Sequence, residues 1–310
     1  MDIEYLLMLQ NFREATGNVL TPFMIWLSDF VHGGLLIVPI FVYWCLSKRG
    51  GMFLMLSMSV GDFLNDILKM TFCVYRPFVK DARLIPAVKK LSSYSFPSGH
   101  TTTATEIFGG VAVLSRKKSR LFSWLCAALV LVVMFARNYL GVHTPQDVIV
   151  GLVAALAVMC ALSVMMLHRE RENLFMLLGI VFVAAGLAYV SLKSYPADVD
   201  ANGKLIVNAA GKIGDLYLYG GSIAGLIVGR LAERRYIKFR ESGFNVRGVI
   251  VSCVGLVLYY ALYFTVRNDI VSFLAPVITE WGGVFVHAFV SAFFAVAVWP
   301  CVIKLACRRV

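Results

Sequence analysis

Residues 121–147 read LFSWLCAALVLVVMFARNYLGVHTPQD. The run 121–139 is apolar until Arg137 and is long enough to cross a bilayer core of about 30 Å as a helix. Its end is not apolar at all. Arg137, His143, Thr144, Pro145 and Asp147 follow within eleven residues, and a second apolar run begins at 147. Two spans joined by a short segment rich in ionisable groups set the theme of the whole chain. The fold is a bundle of membrane helices, and polar chemistry sits at the ends of the spans, where ionisable groups facing a bundle interior are functional by default.

Composition agrees. Of 310 residues, 59% are hydrophobic and 15% charged, and the mean hydropathy is +0.78. A soluble domain is about half apolar and a quarter charged. Apolar stretches of spanning length lie near 31–47, 51–72, 99–115, 121–139, 147–167, 174–192, 213–230, 248–266 and 283–303. The class is therefore all-α, a polytopic membrane bundle of about nine transmembrane helices. The first run is short and carries Gly33, Gly34 and Pro39. Residues 1–30, broken by Arg13, Glu14, Gly17 and Pro22, are expected to form helices lying along the interface. The N-terminal stretch has no basic n-region and no small-residue cleavage site, so no removable signal peptide is expected.

The seven cysteines are scattered and form no CxxC, which argues against zinc and against a disulfide framework. Buried small hydrophobes are the expectation. The net charge of +11 does not signal nucleic acid, because the basic residues fall between apolar spans. Counted by alternate loops, one side holds 17 of the Lys and Arg residues: Lys48, Arg49, Arg116, Lys117, Lys118, Arg120, Arg169, Arg171, six from Arg230 to Arg247, Lys304, Arg308 and Arg309. The other holds 11: Lys69, Arg76, Lys80, Arg83, Lys89, Lys90, Arg137, Lys193, Lys204, Lys212 and Arg267. The positive-inside rule makes the first side cytoplasmic.

Three polar clusters fall on the other side. In KMTFCVYRP (69–77), Lys69 and Arg76 are seven apart, two helical turns, and are expected on one face. In PSGH (97–100), Ser98 is a good N-cap and Gly99 allows a close backbone approach. Free N–H groups at such a helix start favour an anion. In RNYLGVHTPQD (137–147), Thr144 caps and Pro145 fits the first helical position, so His143 stands at a helix mouth with Asp147 one turn inside. Taken singly, each cluster has an ordinary reading: snorkelling cations, a capped helix with a surface histidine, a carboxylate supporting a helix start. Together they place three cations, two histidines, a carboxylate and two helix starts at one depth. Cations with free N–H groups describe a phosphate cradle, and two histidines permit a nucleophile and a general acid.

K-x6-R-P, P-S-G-H and R-x5-H-x3-D, in that order, resemble the three-part signature of the type 2 phosphatidic acid phosphatase superfamily. The leading stretch is similar to its bacterial and sphingosine-phosphate-phosphatase-like branch. The third motif of that family usually begins Ser-Arg, whereas this chain has Ala136-Arg137. The resemblance covers about residues 4–168. It implies a six-helix core over 31–192, with 193–310 a loop plus three extra spans. It further implies an integral membrane lipid phosphate phosphatase that needs no metal and no cofactor. His143 would form a phosphohistidine, Asp147 orient it, and His100 protonate the leaving oxygen and then activate water. Lys69, Arg76, Arg137, Ser98 and Gly99 would hold the phosphoryl oxygens. The expected partners are a lipid phosphate and membrane lipids, not nucleic acid. A homo-oligomer contact is one use for the extra spans. In a bacterial cytoplasmic membrane the site faces outward, and undecaprenyl diphosphate leads, with phosphatidate and phosphatidylglycerol phosphate behind; in a eukaryote, a lumenal site in the endoplasmic reticulum suits a sphingoid-base phosphate. Two alternatives stand beside this: a sugar phosphatase similar to glucose-6-phosphatase, and a lipid carrier or scramblase without catalysis, with Asp215, Arg267, Asp269 and Glu280 as gate charges.

Overall fold

A computed structural model describes residues 2–88, 91–196, 199 and 205–307. Lys89, Lys90, Lys204, Arg308 and Arg309, counted above for the charge asymmetry, lie outside the described residues. The architecture is all-α: α1 Asp2–Ala15, α2 Thr21–Asp29, α3 Ile37–Phe41, α4 Lys48–Phe72, α5 Pro77–Lys80, α6 Gly99–Ala104, α7 Gly110–Ser115, α8 Arg120–Tyr139, α9 Pro145–Leu167, α10 Glu172–Leu192, α11 Ala209–Ala232, α12 Val246–Tyr260, α13 Arg267–Phe293 and α14 Trp299–Ala306. One turn of π-helix, Thr105–Gly109, joins α6 to α7, so residues 99–115 run as one helix with a bulge. The only extended pairing among the described residues is the isolated bridge between Val199 and Leu205.

Each of the nine expected spans is helical among the described residues, and six helices are long and apolar enough to cross a membrane. The other three fall short for visible reasons. Residues 31–47 are broken around Leu35 and Leu36, leaving a short apolar helix, Ile37–Leu46. Residues 99–115 begin with eight polar or small residues, Gly99 to Glu106, and α11 carries Lys212, Asp215, Arg230 and six glycines. The last long segment, Arg267–Ala306, is not one straight rod. Ile278 and Thr279 leave helical geometry, Thr279 at φ +73°, and the Thr279 hydroxyl caps the new start by accepting from Gly282 N at 3.2 Å. A Cβ on Gly283 would come within 3.0 Å of the Val271 backbone, so residues 267–277 fold back along the helix that follows.

The chain forms two compact units. One comprises Met1–Leu35, Leu64–Met159 and Lys193–Lys212, and holds all three polar clusters. The other comprises Leu36–Phe63, Cys160–Leu192 and Ile213–Val310. Its core is built from Tyr43, Trp44, Met52, Leu56, Leu226, Phe239, Val296 and Trp299 among others. The spacing Gly221, Gly225, Gly229 works there as a close-contact seam: Cβ atoms at 221 and 225 would run into the carbonyl oxygens of Phe285 and Phe289. In the same unit Glu233 is 1% exposed and takes ion pairs from Lys48 at 2.9 Å and Arg230 at 2.7 Å.

One expectation fails. Only Cys45 and Cys126 are buried, while Cys160, Cys253 and Cys301 lie on exposed helix faces. On a helix that faces lipid an apolar thiol is at no disadvantage outside the core, which is why hydrophobicity alone misplaced them.

Candidate active site

α4 ends at Phe72 because Cys73 takes a left-handed conformation, φ +49°. Arg76 is therefore not on the same helical face as Lys69, as the seven-residue spacing suggested. It stands in extended geometry before Pro77, which opens α5, and it reaches the site from that turn. Four of its five N–H donors have partners: Nε donates to Ser93 O at 3.0 Å, Nη2 to Ser93 Oγ at 2.9 Å, and Nη1 to Val142 O at 2.9 Å. Nη1 also lies 2.9 Å from His143 Nε2. Arginine has no acceptor, so His143 Nε2 must carry the lone pair and Nδ1 the proton.

That proton faces two oxygens. Asp147 Oδ2 is 3.5 Å from His143 Nδ1 and Ser95 Oγ is 3.4 Å away. Ser95 in turn donates to Asp147 Oδ2 at 2.6 Å. The carboxylate thus reaches the imidazole directly and through a hydroxyl. His143 is 1% exposed and Asp147 3%. Burial pushes the His143 imidazole well below its ordinary range, and the charges of Arg76, Arg137 and Lys69 push the same way.

Asp147 has a second job. Thr144 N donates to Asp147 Oδ2 at 2.8 Å, and Asp147 N donates to Thr144 Oγ1 at 3.3 Å. This is a reciprocal capping box on the start of α9. Asp147 thus caps α9 and at the same time lies within ion-pair distance of His143. The turn that delivers His143 needs Gly141, at φ +71°, and Asn138 Nδ2 fixes the His143 carbonyl at 2.9 Å.

Ser98 occupies the N-cap position of α6, but its hydroxyl makes no capping bond. It accepts instead from Thr101 Oγ1 at 3.1 Å. Ser98 N donates to Asp147 O at 2.9 Å, which ties the second motif to the third. Gly151, one turn beyond Asp147, allows that approach, since a Cβ there would lie 2.8 Å from Ser98 O. Gly99 and His100 open α6 and are half-buried. A Cβ on Gly99 would meet only Asn65 Oδ1, at an ordinary 3.5 Å.

Lys69 is buried, and its ammonium is turned to backbone. It donates to Tyr94 O at 3.2 Å, to Ser95 O at 3.4 Å and to Pro97 O. Lys69 therefore holds the irregular chain that carries Ser95 and leads into PSGH. Arg137 is 2% exposed and donates through Nη1 to Ser28 Oγ at 3.1 Å.

The structure thus joins Lys69, Arg76, Ser98, His143 and Asp147 through shared contacts, with Arg137 close enough for its charge to act on His143. Sequence reading missed Ser93, Ser95, Ser28 and Gly151. Beyond α10, Lys193 Nζ donates to carbonyls in the last turn of α4, Met70 O at 2.6 Å and Thr71 O at 2.7 Å. Asn208 N donates to Ser92 O at 2.8 Å, and Lys212 pairs with Asp66 at 3.4 Å.

The PAP2 superfamily matches residues 50–171. The protein named bacitracin transport permease protein BcrC of Bacillus licheniformis is 30% identical over 155 residues, 47% of this chain and 71% of the relative. Undecaprenyl-diphosphatase BcrC of Bacillus subtilis (strain 168) is 28% identical over 147 residues, 46% of this chain and 72% of the relative. An undecaprenyl-diphosphatase of Sulfolobus acidocaldarius is 30% identical over 108 residues, 34% of this chain and 50% of the relative. No solved structure matches. All three polar clusters fall inside the matched stretch, and the 30% identity runs over most of a relative's length: the chain belongs to the PAP2 superfamily.

Proposed function

We propose that this chain is an integral membrane phosphatase that hydrolyses a lipid phosphate through a phosphohistidine on His143, with undecaprenyl diphosphate as the leading substrate. The observation that carries the reading is the state of His143. Its Nε2 holds a lone pair against the Arg76 guanidinium, and its Nδ1 proton faces Asp147 and Ser95. A neutral, oriented imidazole beside a guanidinium is a nucleophile next to a phosphate binder.

The steps follow from these atoms. The terminal phosphoryl group settles on Arg76 and Arg137, with the N–H groups at the start of α6 completing the cradle. His143 Nε2 attacks phosphorus as the bridging P–O bond breaks. Positive charge builds on the imidazole and is stabilised by Asp147, directly and through Ser95. The leaving oxygen departs on the lipid monophosphate with its electron pair, or takes a proton from His100 when the substrate is a monoester. His100, in its neutral form, then accepts a proton from water as water attacks phosphorus; the Nε2–P bond breaks, its electron pair returns to His143, and inorganic phosphate leaves. Lys69 contributes its charge from behind the loop that it braces. Every role falls to a side chain or a backbone N–H, so activity in EDTA is expected.

The substrate reading is supported by the undecaprenyl-diphosphatases among the relatives. It is supported also by a site at span ends, where a headgroup reaches the cradle while a prenyl tail stays in hydrocarbon. The positive-inside count supports an outward-facing site in a bacterial membrane. The test is phosphate release in detergent micelles from undecaprenyl diphosphate, phosphatidate and glucose 6-phosphate, with EDTA present and His143→Ala as control. Turnover of the sugar phosphate above both lipids would reject the lipid reading. Full activity in His143→Ala would reject the mechanism.

A further inference from the structure

The first 35 residues lie outside the stretch that the superfamily matches, yet they belong to the unit that holds the site. α2 buries Met24, Leu27 and Ser28, three residues at helical spacing on one face. Met24 packs with Ala136, Tyr139 and Leu140, which flank Arg137. Arg13 of α1 is 4% exposed, and its guanidinium donates to Tyr139 O at 3.3 Å and Ile85 O at 2.7 Å. The Thr21 hydroxyl meets Tyr139 OH at 3.3 Å. The last turn of α8 is thus clamped by the N-terminal helices.

Within that clamp Ser28, 2% exposed, receives Arg137 Nη1 at 3.1 Å. Arg137 Nε is buried and has no hydrogen-bond partner among the described residues. A guanidinium presents its donors in one rigid plane. With the backbone pinned at Tyr139 and Nη1 held by Ser28, the direction of the Nε edge is fixed.

We propose that Ser28 is a positioning residue for phosphoryl transfer, supplied by the N-terminal helix, which orients Arg137 so that its Nε edge is left for a phosphoryl oxygen. This rests on the reading of Arg137 as a phosphate ligand. The ligand chemistry is a tetrahedral oxyanion, met side-on by a guanidinium, the geometry in which arginine binds phosphate best. On this account residues 1–35 are part of the catalytic apparatus.

The experiment is a double-mutant cycle between Ser28→Ala and Arg137→Ala in the full chain in micelles. It reads kcat/KM on undecaprenyl diphosphate, the inhibition constant of orthovanadate, and the thermal midpoint. Ser28→Ala should lower kcat/KM and weaken vanadate by about tenfold each, the size of one charge-assisted hydrogen bond, with the midpoint unchanged. Ser28→Thr, which keeps the hydroxyl, should restore both to within about threefold, still well short of the tenfold loss. In the Arg137→Ala background, Ser28→Ala should cost nothing more, because its effect runs through the missing guanidinium. Additive losses, or Ser28→Ala activity within twofold of wild type, would overturn the proposal. Should Ser28→Ala fold poorly, Ser28→Cys against Ser28→Thr gives the same contrast at conserved volume. If Arg137→Ala alone were fully active, the phosphate-ligand reading of Arg137 would fall. If Arg137→Ala were impaired while Ser28→Ala was not, only the role of Ser28 would fall.

Discussion

Replacing Ser95 by alanine removes one hydroxyl from the middle of the site and nothing else. That hydroxyl donates to Asp147 Oδ2 at 2.6 Å and sits 3.4 Å from His143 Nδ1. Asp147 keeps its bond from Thr144 N at 2.8 Å, so α9 stays capped. What is lost is one hydrogen bond to a charged group, worth about 1.5–3 kcal/mol. The carboxylate works hardest when His143 turns cationic, so most of that loss falls on the transition state. At about 1.4 kcal/mol per factor of ten, kcat should drop by roughly 10- to 150-fold with KM within about threefold. Single-turnover phosphate release from a lipid diphosphate, with a thermal midpoint taken on the same preparation, measures both. A kcat within twofold of wild type on a fully folded sample would show that Asp147 governs His143 without the serine. A loss confined to KM would show that Ser95 serves binding alone.

Gly99→Ala should fold normally, since its Cβ would meet only Asn65 Oδ1 at 3.5 Å, yet lose about 10- to 100-fold in kcat/KM if a phosphoryl oxygen comes against that backbone; wild-type kinetics would place the anion elsewhere. Burial and the neighbouring cations hold the folded His143 pKa below its unfolded value of about 6.5. As pH falls below that value the unfolded chain binds a proton that the folded imidazole refuses, so stability falls by up to about 1.4 kcal/mol per pH unit until the folded pKa is reached. Thermal midpoints between pH 7 and 5 should therefore fall more steeply in wild type than in His143→Asn, and parallel curves would contradict the burial argument. Gly221→Leu should lower the midpoint by several degrees, about 1–3 kcal/mol of overpacking, because its Cβ runs into the Phe285 carbonyl; Gly33→Ala, with nothing within 4 Å, should not.

What could be read in the sequence was what is local. Thr144, Pro145 and Asp147 follow helix-start grammar, and α9 begins at Pro145 with that cap in place. His143 one turn from Asp147 needed only that helix. Lys69 and Arg76 were legible as cations near a span end, but not in their geometry, because the left-handed Cys73 ends α4 before Arg76 is reached. Ser95 lay beside PSGH in plain view. Its role depends on the chain at 95 meeting Asp147 across 52 positions, and no periodicity encodes that meeting. Ser28 is further still, 109 positions from Arg137. Hydropathy placed the six helices that are long and apolar enough to span among the described residues, but could not see that the chain reverses at Thr279 and lays residues 267–277 along the helix that follows. A capped reversal and a continuous helix present the same apolar composition.

The central claim is covalent, and the most direct measurement is to trap it. Enzyme in EDTA, mixed with a lipid diphosphate and quenched in alkali within a single turnover, should carry one acid-labile phosphoryl group. Fragment mass spectrometry should place that group on His143, and His143→Ala should carry none. A phosphoryl group on any other residue, or a quench that finds no phosphoenzyme while phosphate appears in a burst, would contradict the account.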